Sequence, residues 1–202
     1  MLKSINPSNV GWLEHKLNAD ELKHLWKCVD EHINDAKPQL IGHVDRSINI
    51  KDIDDLFLFN TINPLINQFN KTFQYKHENI YKEHPYFLKD FWVNYQHQHE
   101  YQPIHNHGGG YSFVIWLKIP TDYEEQNKDN TANFKLNGVF EFQYLNILGE
   151  SCMYRYQLTK KDEGTMLFFP SRLLHAVYPY YNCEEERVSI SGNVWLNTDI
   201  SR

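Results

Sequence analysis

At 202 residues the chain is long enough for one well-buried core and short for two, and 41% hydrophobic with 15% aromatic residues is a folded rather than a disordered composition. Its net charge of -6, from 20 basic and 26 acidic residues, comes without an extended basic run, so nucleic acid is a disfavoured partner: phosphate binding needs clustered Lys and Arg. The three cysteines, Cys28, Cys152 and Cys183, form no CxxC pair, which argues against a thiolate zinc site and for free thiols in a reducing compartment.

The first sixteen residues, MLKSINPSNVGWLEHK, lack the apolar run and small-residue cleavage site of a signal peptide. No stretch approaches the roughly 20 apolar residues of a membrane span, so the expectation is a cytoplasmic protein without a membrane partner. A first helix is expected after Asn18, which forms a capping-box pattern with Glu21. Leu22, Leu25, Trp26, Val29 and Ile33 then recur at helical spacing as one buried stripe. Gln39 to Asn49 reads as a short strand with Gly42 near a bend. A second helix is expected from about Asn60, with Ile62, Leu65, Ile66, Phe69 and Phe73 on one face and Pro64 in its first turn.

From residue 90 the hydrophobic period changes from that of a helix to that of a strand. Phe91–His97, Tyr111–Ile119, Val139–Tyr144, Met153–Leu158, Thr165–Phe169, His175–Tyr180 and Arg187–Trp195 are the strand candidates, punctuated by Gly, Pro, Asn and Asp. Short strands without intervening helices mean an antiparallel sandwich or barrel. Helices first and strands later suggest an α+β, mainly β fold, with the N-terminal helices packed on the outside. One domain, 1–202, is expected, with a mainly helical part over 1–89 and a β core over 90–196. The polar segment Thr121–Asn137 is either a solvated surface loop or a mobile flap over a substrate mouth.

Chemistry concentrates in the β half. His105 and His107 stand at i and i+2, so on extended chain both side chains face one way and can converge on an ion. His175, on a separate strand, supplies a third imidazole. Three protein ligands leave coordination positions open, and a three-histidine set suits iron, zinc or copper. Gly108, Gly109 and Gly110 follow directly and give the backbone room for a tight turn. Arg187 and Ser189, again at i and i+2, suit a buried carboxylate: the guanidinium makes paired charge-assisted bonds and the hydroxyl adds one more. The alternative for Arg187 is surface pairing with Glu184, Glu185 or Glu186. His15, His24, His32, His43, His77 and His84 read as ordinary surface or core residues, and His97 and His99 as structural.

FWVNYQ, PIHNHGGGYSFVIWLKIP, GTMLFFPSRLLHAVYP and ERVSISGNVW together resemble the 2-oxoglutarate/Fe(II)-dependent oxygenases, and are most similar to small prolyl-4-hydroxylase-like members from bacteriophages and bacteria. The resemblance covers about residues 90–196. It implies a double-stranded β-helix, a jelly-roll or cupin-like barrel, in the host cytoplasm if phage-encoded. It implies Fe(II) held by His105 and His175, and 2-oxoglutarate as cosubstrate with its distal carboxylate on Arg187 and Ser189. His107 falls where the family usually has a carboxylate, so a metal set of His105, His107 and His175 departs from the usual triad. Asn94 and Gln96, or Tyr95 in the other register, are candidates to line the cosubstrate pocket. No catalytic residue is expected beyond the metal ligands. The implied reaction is hydroxylation of a small-molecule or peptide substrate by dioxygen, with release of succinate and CO2. Two other readings stay open: a cupin-like three-histidine metalloenzyme that needs no 2-oxoglutarate, and a non-catalytic jelly-roll binding protein.

Overall fold

The computed structural model describes residues 2–3, 9–31, 40–73 and 86–197. Strand β1 (Leu13–Lys16) leads into helix α1 (Ala19–Asp30). The helix starts where the sequence says: the Asn18 side chain accepts from the Asp20 and Glu21 amides, and the Glu21 carboxylate accepts from the Asn18 amide at 2.8 Å. Leu25, Cys28 and Val29 are buried. Trp26, expected in that stripe, is 39% exposed; it lies about 100° around the helix from Leu25, at the margin of the buried face. Ile33, His32, His77, His84 and Gln39 lie outside the described residues.

Strand β2 (Arg46–Asn49) follows, then a one-turn helix at Ile53–Asp55, a π-helical turn at Leu58–Ile62, and helix α2 (Asn63–Phe73) with Pro64 in its first turn. Asp52 ties the two helices together. Its carboxylate accepts from the Phe57 and Leu58 amides at 3.0 and 2.8 Å, and His24 Nε2 of α1 lies 2.8 Å from the same group.

The β half contains β3 (Tyr86–Gln96), β4 (Gln102–His105), β5 (Tyr111–Lys118), helix α3 (Tyr123–Asn127), β6 (Phe140–Leu145), β7 (Ser151–Tyr156), β8 (Thr165–Pro170), β9 (Leu174–Val177) and β10 (Arg187–Leu196). They form two antiparallel sheets: a six-stranded one in the order β1-β8-β5-β10-β3-β2 and a four-stranded one in the order β4-β9-β6-β7. This is the double-stranded β-helix. The seven expected strands are all present. Two short ones, β1 and β4, were not expected. β4 contains Pro103 and its register shifts between Gln102 and His105, so no alternation marks it. β1 and β2 also carry the N-terminal part into the large sheet, through pairing with β8 and β3.

The large sheet separates two cores. On one side Phe91, Val93, Phe113, Ile115, Val188 and Ile190 pack against the helices through Leu25, Ile62, Ile66 and Phe69. On the other side Val114, Trp116, Leu167 and Phe169 meet Phe140 and Phe142 of the small sheet. Each such side chain contributes about 1.5–3 kcal/mol through burial. The second cluster fills only part of the space between the sheets, and the remainder is a cavity.

Thr121–Asn137 does not line that cavity. It carries α3 and is tied down: Gln126 exchanges two 2.7 Å hydrogen bonds with the Tyr181 backbone, and buried Asn127 donates to the Tyr123 and Asn137 carbonyls.

Candidate active site

His105 ends β4 and stands directly opposite His175 on β9. The chain leaves the strand after His105, and the His107 amide donates to the Ser171 carbonyl at 2.8 Å, which turns its ring back to the other two. Ring centroids lie 4.9 Å apart for His105 and His107, 4.2 Å for His105 and His175, and 5.0 Å for His107 and His175. His105 and His175 each donate from Nδ1 to a carbonyl two residues back, Pro103 at 2.7 Å and Leu173 at 2.9 Å. That leaves Nε2 of each ring as its acceptor atom, and for His175 this atom is in hydrogen-bond contact with His107. His107 Nε2 and His175 Nε2 are 3.2 Å apart, and one nitrogen from each of the three rings lies within 4.8 Å of the others.

Burial holds all three below the usual imidazole range. For His107 it does so to about 4, with His105 adding to the effect and the Asp90 carboxylate opposing it. For His105 burial acts against the Pro103 hydrogen bond, and for His175 it is joined by the charge of His105. Three neutral imidazoles with converging lone pairs are a donor set for a transition-metal ion. Phe140 and Phe169 pack on His175, and Trp92 lies edge-on to His107, so the rings are fixed before any ion arrives.

Two other clusters have similar spacing but different chemistry. In His24–Cys28–Asp52 and His43–Asp45–Glu100 the buried carboxylates are already spent on backbone amides: Phe57 and Leu58 for Asp52, Asp45 and His97 for Glu100. They brace the chain.

A cavity of about 510 Å³ opens beside the histidines, with Asn94, Gln96, Arg187 and Ser189 on its wall. Arg187 is only 3% exposed. Its Nη2 donates to the Gly138 carbonyl at 3.2 Å and the guanidinium lies 5.1 Å from the Tyr180 ring, but Nε and Nη1 have no partner. The surface alternative fails: Glu185 pairs with Lys118 at 2.7 Å, Glu186 lies near Arg46 and His97, and Glu184 accepts from Gln98. Burial lowers the guanidinium to about 10, so it is still a cation at neutral pH. A buried cation with unpaired donors is costly and calls for an anion. Gln102 Nε2, also on the cavity wall, is a third buried donor without a partner.

Asn94 accepts from Ser47 at 2.7 Å and Gln96 donates to the Glu100 carbonyl at 2.6 Å, which fixes both side chains. Tyr95 is on the opposite face, under the Arg46 guanidinium and against the helix-side core. His97 sits beside Glu186 at the surface and His99 against Tyr181, neither on the cavity wall. Sequence reasoning missed Asp90, Trp92, Gln102 and Asn193, all on the wall. Asp90 and Asn193 continue the period-two series of Asn94–Gln96 and Arg187–Ser189 by two further steps, a signal present in the sequence but shared with any strand that faces water.

A sequence profile described as "Putative 2OG-Fe(II) oxygenase" matches residues 90–193. Among curated proteins no sequence relative matches. Several solved structures share the fold. An oxidoreductase of the 2OG-Fe(II) oxygenase family from Burkholderia pseudomallei superposes with a TM-score of 0.57 at 16% identity, over 92% of this chain and 84% of that one. A prolyl-4-hydroxylase from Pseudomonas putida gives 0.52 at 17%, over 93% and 92%. The viral collagen prolyl hydroxylase of Paramecium Bursaria Chlorella virus-1, solved as a 2OG complex, gives 0.51 at 13%, over 91% and 94%.

Proposed function

This chain belongs to the 2OG-Fe(II) oxygenase family, and on that premise we propose that His105, His107 and His175 hold its iron while Arg187 and Ser189 anchor the far carboxylate of its cosubstrate. The protein is an Fe(II)- and 2-oxoglutarate-dependent oxygenase. Bound together, iron and 2-oxoglutarate supply dioxygen activation, with decarboxylation to succinate and CO2 coupled to oxidation of a substrate C–H bond.

The observation that carries the assignment is Arg187: a cation buried between two sheets, with two donors unused and no carboxylate among the described residues to meet them. A dicarboxylate cosubstrate supplies the missing anion. Gln102 Nε2 and the Ser189 hydroxyl add neutral donors on the same wall. The same orphaned cation weighs against a three-histidine enzyme that uses no oxo-acid. For the metal, the support is the donor chemistry: two Nδ1–H groups committed to backbone carbonyls, neutral rings, and nitrogens already gathered. His107 in place of a carboxylate makes the protein's contribution to the ion wholly uncharged. Asn94 and Gln96 shape the cosubstrate pocket. Phe140 and Phe169 pack against the His175 ring and Trp92 against that of His107. Small-molecule and peptide substrates both suit a cavity of this size. The reading of residues 1–202 as one domain is supported by β1 and β2, which are strands of the large sheet.

The test is anaerobic addition of Fe(II) and 2-oxoglutarate, read as a visible absorption band. The wild type is expected to give the band. Arg187→Met should weaken 2-oxoglutarate binding by about 2–5 kcal/mol while iron still binds. Unaltered 2-oxoglutarate affinity in that variant would overturn the anchor assignment.

A further inference from the structure

The cavity floor is the inward face of two neighbouring strands, and its charges are segregated. On β10 the inward residues run Arg187, Ser189, Ser191, Asn193; opposite them on β3 stand Gln96, Asn94, Trp92, Asp90. Among the described residues, Arg187 is the only Lys or Arg on the cavity wall and Asp90 the only Asp or Glu. Six residues of strand separate their rows, about 20 Å at ~3.3 Å per residue. That separation is too long for a mutual ion pair and well beyond the screening length in physiological salt, about 8 Å. It also exceeds the reach of a five-carbon oxo-acid anchored on Arg187.

Asp90 is held in place. Ser112 donates to the Asn193 side-chain oxygen at 2.7 Å, and Asn193 donates from Nδ2 to Asp90 Oδ2 at 3.0 Å. That relay leaves Asp90 Oδ1 without a partner among the described residues. Its sequence neighbour Lys89 is the extra residue of a bulge in β3, and its Nζ lies over the Trp195 ring at 4.2 Å; no ion pair joins Lys89 to Asp90 among the described residues. Beside Asp90, Trp92 is 6% exposed, lines the cavity, and has an indole Nε1–H with no acceptor. Its ring is 6.0 Å from that of His107. The exposed Asn49 and Asn106 on the wall open this half to solvent, while Arg187 itself is buried; the exposed Ile41 lies on the wall near Gln102.

From this we propose that the open half of the cavity binds a substrate unit carrying two groups: a protonated amine or guanidinium against Asp90, and a carbonyl or carboxylate oxygen on the Trp92 indole. A basic amino acid, free or within a peptide, has both. The inference rests on the oxygenase reading above and adds the substrate class. An unpaired, pre-oriented carboxylate favours a cation through charge-assisted hydrogen bonds, and an orphaned buried N–H next to it favours an acceptor on the same molecule. The Trp92 ring beside His107 sets the cation a few bonds from the atom presented to the metal site.

Four probes test it on the anaerobic iron–2-oxoglutarate complex: free L-lysine, Nα-acetyl-L-lysine N-methylamide, its arginine counterpart, and the uncharged Nα-acetyl-norleucine N-methylamide. Binding is read as perturbation of the visible band, and turnover as succinate release in air. The lysine or arginine probes are expected to bind and to stimulate succinate release, and the norleucine probe to do neither. Comparison of free with capped lysine separates a free amino acid from a peptide residue. Asp90→Asn keeps a side-chain oxygen for Asn193 and should weaken the cationic probes by about 10- to 100-fold. Trp92→Phe keeps a ring against His107 and should weaken them by about tenfold through the lost N–H. Equal binding of lysine and norleucine probes, retained discrimination in Asp90→Asn, or no response to any cationic probe overturns the proposal. In each case a band that still forms without probe leaves the Arg187 reading standing, whereas failure to form that band sinks the reading itself.

Discussion

Strand β10 has two faces that do opposite things. Val188, Ile190 and Val194 point to the helices and lie in a close-packed apolar core. Arg187, Ser189, Ser191 and Asn193 alternate with them and point to the other sheet, where they line a cavity and leave a guanidinium half unsatisfied. One backbone, held by β5 and β3 on either side, serves both. The first face stabilises the protein, and the second draws on that stability to keep polar groups buried and ready. Stability and chemistry are separated here by a single residue step along a strand.

Substitutions on the two faces should therefore break different properties. Ile190→Ala, on the helix side, is expected to lose about 2–5 kcal/mol of unfolding free energy in urea, through lost burial and the void left behind. The folded fraction should bind 2-oxoglutarate as the wild type does; a parallel loss of affinity would dissolve the distinction between faces. Arg187→Met should behave inversely. Without ligand, removing an unpaired buried cation should raise stability by about 1–4 kcal/mol. With saturating 2-oxoglutarate the order should shift back towards the wild type, because only the wild type gains from binding. Denaturation curves with and without 2-oxoglutarate give both numbers. Ser189→Ala is the gentlest probe: roughly 0.5–1.5 kcal/mol of cosubstrate affinity by titration, with little change in the melting transition.

The sequence made one face of this contrast far easier to read than the other. The apolar alternation after residue 90 located seven strands, and the Asn18–Glu21 box located α1 to the residue. His105, His107, His175, Arg187 and Ser189 stood out because each belongs to a close i, i+2 pair or follows a strand–turn signal. Asp90 and Asn193 did not, because a polar residue at every second position is also the pattern of a strand facing water. Only the packing of the small sheet over that face shows that it is interior. β1 and β4 escaped for a simpler reason: four residues, one of them Pro103 in β4, are too few to display a period. Trp26 shows the converse limit, since helical spacing marks a face but not its edges.

Gly138 gives Arg187, the proposed anchor, an unexpected dependence. Its carbonyl receives Arg187 Nη2, its φ is +75°, and a Cβ at this position would stand 3.4 Å from that same nitrogen. The other nearest atoms are the Tyr180 Cβ at 3.8 Å and the Gln126 Cγ at 3.9 Å, so none of the three histidines is among them. A side chain here would nonetheless strain the turn and crowd the guanidinium from the side it leans on. The position thus behaves as a hidden tuning point for directed evolution. Varying residue 138 together with Tyr180, the other support of the cation, is expected to shift where the Arg187 guanidinium sits and, with the anchor proposed above, the length of oxo-acid bound.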